Sequence, residues 1–161
     1  MKNDARFASL LDGRNLAPLN EREQRRAANI FLGFDGNVNA RYEEGSRTRF
    51  RVEVDENGDE FGEIIFSNDI YPGPNLINPN ASLSLEGAAA HELAHYYRWS
   101  NKSELPIGKL THIDEAMTSL EAALRFSQKL SANDIQGLIS DALHRLRMHV
   151  DALPEQQPGV D

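Results

Sequence analysis

The chain has 161 residues, which is enough for one domain with a buried core and leaves little room for a second. Acidic residues outnumber basic ones by 25 to 17, and the net charge of −8 argues against a dedicated nucleic-acid binder, which would carry a basic surface. Cysteine is absent, which excludes disulfides, thiolate zinc sites and cysteine nucleophiles. Any metal must therefore be held by His, Asp or Glu.

No apolar run approaches the length of a membrane span, and the first ten residues lack the apolar stretch of a secretory signal. We therefore expect a soluble cytoplasmic protein with no nucleic-acid or membrane partner, with secretion as an effector left open. The expected organisation is a single domain over residues 1–153, followed by a disordered tail over 154–161.

The first half of the chain shows one helical pattern and then two strand patterns. Helix formers over residues 20–34 predict a helix that Asn20 caps. Residues 47–54 alternate between polar and apolar side chains, which predicts a strand. A turn-rich segment at 55–59 separates it from a second strand pattern at 61–67, so the two strands are expected to form a hairpin.

The second half of the chain is predicted to be helical after an irregular loop over residues 68–84, which is rich in Pro and Asn. Helical patterns follow over 85–99, 113–130 and 132–153. The last of these is expected to bury one apolar stripe, made of Ile135, Leu138, Ile139, Ala142, Leu146 and Val150. The order of elements indicates an α+β fold, with a short antiparallel sheet or hairpin packed on the first of these helices.

Candidate caps mark where each of the three later helices should begin. Ser82 or Ser84 would cap the first and Ser131 the third. Thr111 would cap the second helix, with Asp114 at the position that completes a capping box.

The residues that carry chemistry are His91, Glu92 and His95, in the pentapeptide H-E-L-A-H. On a helix, residues four apart lie on one face, so both imidazoles can reach one zinc ion. Glu92 is rotated by about 100° from His91 and flanks the metal, where its carboxylate can act as general base toward a water. Two of only five histidines stand at this spacing within a predicted helix, which favours a zinc site over two exposed surface histidines.

A catalytic zinc needs a third protein ligand and one open position. The second of the three helices offers His112, Asp114, Glu115 and Glu121, and we choose Glu115, which lies in the first turn of a helix that must pack against the motif helix. The predicted site is therefore one zinc ion per chain, held by His91, His95 and Glu115.

With these ligands the sequence resembles the Glu-zincins (gluzincins), in which H-E-x-x-H is followed by a glutamate on the next helix. Here nineteen residues separate the motif from Glu115, in the segment D-E-A-M-T. The metzincin extension is disfavoured, because Arg98 and Asn101 stand where that pattern needs Gly and His. The short layout from Ile64 to Phe126 is most similar to the ImmA/IrrE-like metallopeptidases of bacteria. Secreted effector peptidases with a short H-E-x-x-H domain are a second candidate family.

The resemblance implies a compact zincin-like fold and metal-assisted hydrolysis of a peptide bond, with Glu92 accepting the proton of the attacking water. Its expected partner is a protein or peptide substrate, such as one specific regulator. The sequence departs from the thermolysin-like pattern at Ser119, where that family has an aspartate that orients the first histidine. Thr118, Ser119, Asp114 or a backbone carbonyl are the alternatives for that role.

A second electrophile often assists this chemistry, and His112 is chosen for it because it shares a helix face with Glu115. The other candidates are Tyr96, Tyr97 and Arg125. The strand at 64–66 could be an edge strand that holds extended peptide, or an ordinary core strand. The segments 68–84 and 100–110 are expected to set specificity. The alternative function is a zincin-like fold that acts as a non-catalytic binding or regulatory module.

Overall fold

A computed structural model of the protein describes residues 13–74 and 79–154. Over these residues the chain has an α+β fold with five α-helices and one three-stranded sheet. The helices are α1 (Glu21–Phe34), α2 (Pro79–Ser82), α3 (Leu85–Ser100), α4 (Thr111–Arg125) and α5 (Ala132–Asp151). The strands are β1 (Ala40–Tyr42), β2 (Arg49–Val54) and β3 (Glu60–Phe66), and a 3-10 turn at Asn68–Ile70 follows β3. Apart from Pro154, the predicted disordered tail falls outside the described residues.

Two helices begin with the capping signals that their sequences carry. At α1 the Asn20 side chain accepts a hydrogen bond from the Glu23 N–H at 2.9 Å, and the Glu23 carboxylate accepts one from the Asn20 N–H at 3.0 Å. Ser131 and Asp134 form the same reciprocal pair at α5. Each pair satisfies two N–H groups that the first helical turn leaves without partners, which explains why both starts were predictable.

The predicted hairpin is present, with β2 and β3 antiparallel around the turn at 55–59. The Asp55 carboxylate accepts hydrogen bonds from the N–H groups of Asn57 and Asp59, and Gly58 adopts a φ of +84°, which favours glycine. The short strand β1 pairs with β3 in parallel, so the sheet order is β1-β3-β2. The strand at 64–66 is therefore the central strand of the sheet, and β2 is an edge.

The hairpin packs on α3 through aromatic side chains. The ring of Phe50 on β2 lies with its centroid 6.1 Å from that of Tyr96 and 5.7 Å from that of Trp99. Gly62 on β3 makes this contact possible, because a Cβ there would stand 2.6 Å from the Phe50 ring. The sheet thereby packs against α3 beside the motif histidines, and Phe50 lines the same cleft as His91.

Helix α4 differs at both ends from the helix predicted over residues 113–130. It begins at Thr111 and no side chain caps it, although Thr111 and Asp114 were expected to do so. The Thr111 hydroxyl accepts from the Gly108 N–H instead, and Asp114 is engaged by Arg98. The helix ends at Arg125 rather than at residue 130, because Phe126 turns into the core, where it is buried.

The loop predicted over 68–84 carries more local structure than expected, since it contains the 3-10 turn and α2. The apolar stripe predicted for α5 is only half buried. Leu138 and Ala142 lie in the core, whereas Ile139 and Val150 are 43% and 62% exposed. The inward face of α5 instead carries polar side chains, which belong to the site described next. None of the described helices is long and apolar enough to cross a membrane.

Candidate metal centre

Helix α3 brings the two motif histidines to one side. The Ser84 hydroxyl accepts from the Gly87 N–H at 3.0 Å and caps the helix, which decides between the two predicted caps. The imidazole rings of His91 and His95 lie with their centroids 4.8 Å apart, as expected for residues one turn apart. His91 is buried and His95 half-buried, so both rings stand at the floor of a site that opens on one side.

Helix α4 supplies the third group that the sequence predicted. The Oε2 atom of Glu115 lies 3.1 Å from Nε2 of His91 and 3.4 Å from Nε2 of His95. The candidate ligand atoms of the three residues all lie within 4.8 Å of one another. Ligand atoms at about 2.0–2.1 Å around a tetrahedral ion are separated by about 3.3 Å, which is close to the two distances from Glu115 Oε2. The structure thus brings together a group of residues that could bind a metal.

A buried ion pair positions α4 against α3. Arg98, near the end of α3, donates to the Asp114 carboxylate and, at 3.0 Å, to the carbonyl of Ser103. The same Asp114 carboxylate accepts from the Leu105 N–H at 2.9 Å. These contacts tie the connecting loop to both helices, and Glu115, the next residue along, is thereby directed toward His91.

The structure selects one of the four groups that could orient His91. The Ser119 hydroxyl oxygen lies 2.8 Å from Nδ1 of His91, and Ser119 is fully buried. The other candidates are engaged elsewhere, since Asp114 binds Arg98 and the Thr118 hydroxyl donates to the Asp114 carbonyl. A group at this position sets which imidazole nitrogen is free to bind a metal.

Helix α5 contributes two charged residues that the sequence analysis did not single out. The Ser119 hydroxyl donates to Oδ2 of Asp141 at 2.6 Å, and Nε of Arg145 donates to the same oxygen at 2.8 Å. Arg145 also places Nη1 3.4 Å from Oε2 of Glu115. The available signal was an Asp and an Arg four residues apart, each directly before a residue of the predicted apolar stripe.

The opposite charges of His95 and Glu115 shift each other's pKa in favour of the charged forms. Burial lowers the pKa of His95, but the charge and hydrogen bond of Glu115 outweigh that effect and raise it to about 9. Burial likewise raises the pKa of the Glu115 carboxyl, but His95, His91 and Arg145 hold it well below its usual range. At neutral pH and without an ion, His95 and Glu115 thus form an ion pair, and a metal that binds here displaces a proton.

The site opens into a cleft of about 300 Å³. Glu92 lines this cleft together with both motif histidines, as the H-E-x-x-H spacing predicted. Glu104 lies on the same wall, and burial raises the pKa of its carboxyl. The other described residues of the lining come from all the helices except α1, from β2 and from the connecting segments, among them Arg14, Arg49, Phe50, Asp69, Asn80 and Arg145.

The residues considered as a second electrophile are placed elsewhere. His112 is half-buried on α4 and does not appear among the described residues that line the cleft, so its role stays a prediction. Tyr97 donates its hydroxyl hydrogen to Asp35, and the Arg125 guanidinium lies 4.1 Å from the centre of the Tyr97 ring. Tyr96 packs against Phe50.

Both segments expected to set specificity reach the cleft. Asp69, Ile70, Asn80 and Leu83 line it from the segment 68–84, of which residues 75–78 fall outside the described chain. Glu104 lines it from the segment 100–110. Their effect on substrate choice stays a prediction.

Compared with family models, with curated proteins and with solved structures, the chain matches none of them. The functional interpretation therefore depends on the residues of the site and their geometry.

Proposed function

We propose that the protein is a zinc-dependent endopeptidase with a zincin-like fold, similar to the ImmA/IrrE-like metallopeptidases. The observation that carries this proposal is the convergence of His91, His95 and Glu115 at zinc-ligand spacing, with Glu92 facing the same cleft. A purely structural zinc site would not need a carboxylate at position 92. It would also have four protein ligands and no opening to solvent.

Bound zinc would supply Lewis acidity, which lowers the pKa of a water and polarises the carbonyl of a peptide bond. The chain's own residues would supply the proton transfers and the positioning. Glu92 accepts the proton of the attacking water and donates it to the leaving amine nitrogen. His91, His95 and Glu115 would hold the ion, and Arg145 adds positive charge beside Glu115 in the same cleft.

The test of catalysis compares Glu92→Gln with wild type in cleavage of a proteome-derived peptide library, read by mass spectrometry. Loss of the general base should lower cleavage by about 10²–10⁴-fold while the zinc content stays near one ion per chain. Glu86→Gln is the matched control, because Glu86 lies on the same helix and forms only a surface ion pair with Arg26 at 3.7 Å. Equal cleavage by wild type and Glu92→Gln would contradict the proposal.

The test of the ligand set is zinc affinity, measured by competition with a chelator. Glu115→Ala removes one of three ligands and should weaken zinc binding by several orders of magnitude. Glu121→Ala, also on α4, removes a carboxylate that pairs with Arg125 and should leave the affinity unchanged. Unchanged affinity in Glu115→Ala would show that another group is the third ligand.

The second candidate function is a non-catalytic binding or regulatory module with the same fold. One observation favours it: the Glu115 carboxylate already lies against His95 and Arg145, so its charge is balanced without an ion. Protein that is isolated without zinc, and that does not take up added zinc, would support this alternative and overturn the peptidase proposal.

A further inference from the structure

We infer that Ser119 and Asp141 are positioning residues of the metal site, and that they form a relay through which α5 orients His91. The inference rests on the proposed zinc site, although its geometry is visible without the ion. His91 Nδ1, the Ser119 hydroxyl and Oδ2 of Asp141 follow one another at 2.8 Å and 2.6 Å, and all three residues are buried.

The relay places a hydrogen on Nδ1 of His91. A carboxylate only accepts hydrogen bonds, so the single hydroxyl hydrogen of Ser119 is directed to Asp141. The Ser119 oxygen then offers only lone pairs, and His91 must donate from Nδ1. Nε2 is then the atom of His91 left to bind a metal, and it lies 3.1 Å from Oε2 of Glu115. Without an ion that contact requires a hydrogen on Nε2, because a carboxylate only accepts, and a bound ion would take the place of that hydrogen.

Asp141 is held in place by a hydrogen bond from Arg145, while its other carboxylate oxygen is left without a partner. Nε of Arg145, one turn along α5, donates to Oδ2 of Asp141 at 2.8 Å, and Nη1 of Arg145 reaches Glu115. The other carboxylate oxygen, Oδ1, is buried without a hydrogen-bond partner among the described residues. Leaving a buried acceptor unsatisfied is unfavourable, and a residue that served packing alone would not carry that cost.

The five side chains close a ring, from His91 through Ser119, Asp141, Arg145 and Glu115 back to His91. Three different helices contribute to it, so the orientation of the ligands depends on the packing of α5 against α4. If α4 itself carried an aspartate at position 119, that carboxylate could accept from His91 directly and would need no residue of α5. Here α4 carries the shorter Ser119 at that position, and the carboxylate is that of Asp141 on the neighbouring helix α5.

The test measures zinc affinity and the hydrogen on His91 Nδ1 in the full chain. Ser119→Ala and Asp141→Asn should each weaken zinc binding by about 10–100-fold. Thr118→Val is the matched control, since it removes a fully buried hydroxyl on the same helix that donates only to the Asp114 carbonyl, and its affinity should equal that of wild type. The double variant S119D/D141N moves the carboxylate to α4 and should recover most of the lost affinity.

The second readout does not depend on zinc or on activity. In ¹⁵N-labelled protein, metal-free or zinc-loaded, the wild type should show a slowly exchanging downfield proton on Nδ1 of His91, which Ser119→Ala should lose. Thermal unfolding checks that each variant folds. If Asp141→Asn does not fold, because Arg145 loses its partner, Ser119→Ala and the Nδ1 proton decide the question.

The outcomes separate the relay from the proposed peptidase function. Zinc binding by wild type with unchanged affinity and an unchanged Nδ1 proton in Ser119→Ala would overturn the relay and leave the peptidase proposal standing. Absence of zinc binding by wild type, with the Nδ1 proton present and sensitive to Ser119→Ala, would overturn the peptidase proposal and leave the hydrogen-bonded relay.

Discussion

Two buried arginines, Arg14 and Arg145, line the same cleft, but their guanidinium groups have different kinds of hydrogen-bond and charge partners. Arg14 donates to main-chain carbonyls of Asp69, Ile70 and Leu83 at 2.6–2.9 Å, together with that of Asn80 at 3.0 Å. Arg145 donates instead to the Asp141 carboxylate and lies 3.4 Å from that of Glu115. The first residue joins connecting segments, and the second balances charged side chains around the candidate metal site.

The pKa directions of the two guanidinium groups follow from this difference. Burial lowers the pKa of Arg14 from 12.5 to about 10, because carbonyl dipoles and the more distant Asp69 charge do not fully replace its hydration. Burial also lowers the pKa of Arg145, but the charges of Asp141 and Glu115 outweigh that effect and raise it. Arg14 thus joins connecting segments through carbonyl groups, whereas Arg145 is coupled to the charge of Glu115.

The largest effect on stability is expected for Arg145→Met. The substitution leaves Asp141 as a buried carboxylate without its cation, which should lower the free energy of unfolding of the metal-free protein by about 3–5 kcal/mol. Zinc should then shift the Tm of the variant by a different amount from that of wild type, because Arg145 contacts both Glu115 and the Asp141 carboxylate of the relay. Calorimetry with and without zinc measures both quantities, and a zinc-induced shift equal to that of wild type would contradict the coupling.

Arg14→Met should lower the free energy of unfolding by about 2–4 kcal/mol, since several buried carbonyls lose their donor. Here zinc should raise the Tm by the same amount as in wild type, because no Arg14 hydrogen bond involves a ligand or the relay. Urea denaturation gives the stability, and calorimetry gives the zinc shift. A shift altered as strongly as in Arg145→Met would remove the distinction between the two arginines.

The smallest effect is expected at a polar pair away from the cleft. The Tyr97 hydroxyl donates to the Asp35 carboxylate, and both side chains are half-buried. Tyr97→Phe should lower the free energy of unfolding by only about 0.5–1 kcal/mol at neutral pH and should not change zinc affinity. Urea midpoints at pH 7 provide the measurement, and a loss comparable to that of Arg14→Met would contradict the ranking.

The same pair predicts a pH dependence. Burial, together with the Asp35 contact, raises the pKa of Tyr97 from 10.0 to about 12. The tyrosine's contribution to stability is therefore complete below pH 10 and is lost as the pH rises toward 12. The Tyr97 hydrogen bond lowers the pKa of Asp35 below its ordinary 3.8, so the aspartate's contribution is complete above that pH and is lost as the pH falls through the lowered value. Tyr97→Phe should be less sensitive than wild type in both ranges, as measured by urea midpoints across pH.

Local patterns account for the parts of the fold and site that were predictable. The reciprocal caps at Asn20 and Ser131 use contacts within four residues, and the hairpin turn at 55–59 does the same. The two motif histidines share a face because a helix has 3.6 residues per turn. That Glu115 would lie beside the two histidines was predictable only with the added expectation that α4 packs on α3, which the structure shows.

Long-range contacts account for the rest. The parallel pairing of β1 with β3 depends on the packing of the chain between them, and no local pattern in its three residues indicates it. The early end of α4 at Arg125 reflects the burial of Phe126 in the core. The burial of Asp141 beside the predicted stripe of α5 was not predictable, because its partner Ser119 lies on α4 and only helix packing brings the two together.

By itself the sequence determined the donor chemistry. With no cysteine, and with His91, Glu92 and His95 on one helix, a His and carboxylate site was the only metal centre the chain could build around that motif. Only the tertiary structure decided how His91 is oriented. His91 contacts Ser119, which lies 28 residues further along the chain, and Ser119 in turn contacts Asp141, a further 22 residues along. Helical periodicity acts over one or two turns, whereas the orientation of a ligand depends on which helix packs behind it.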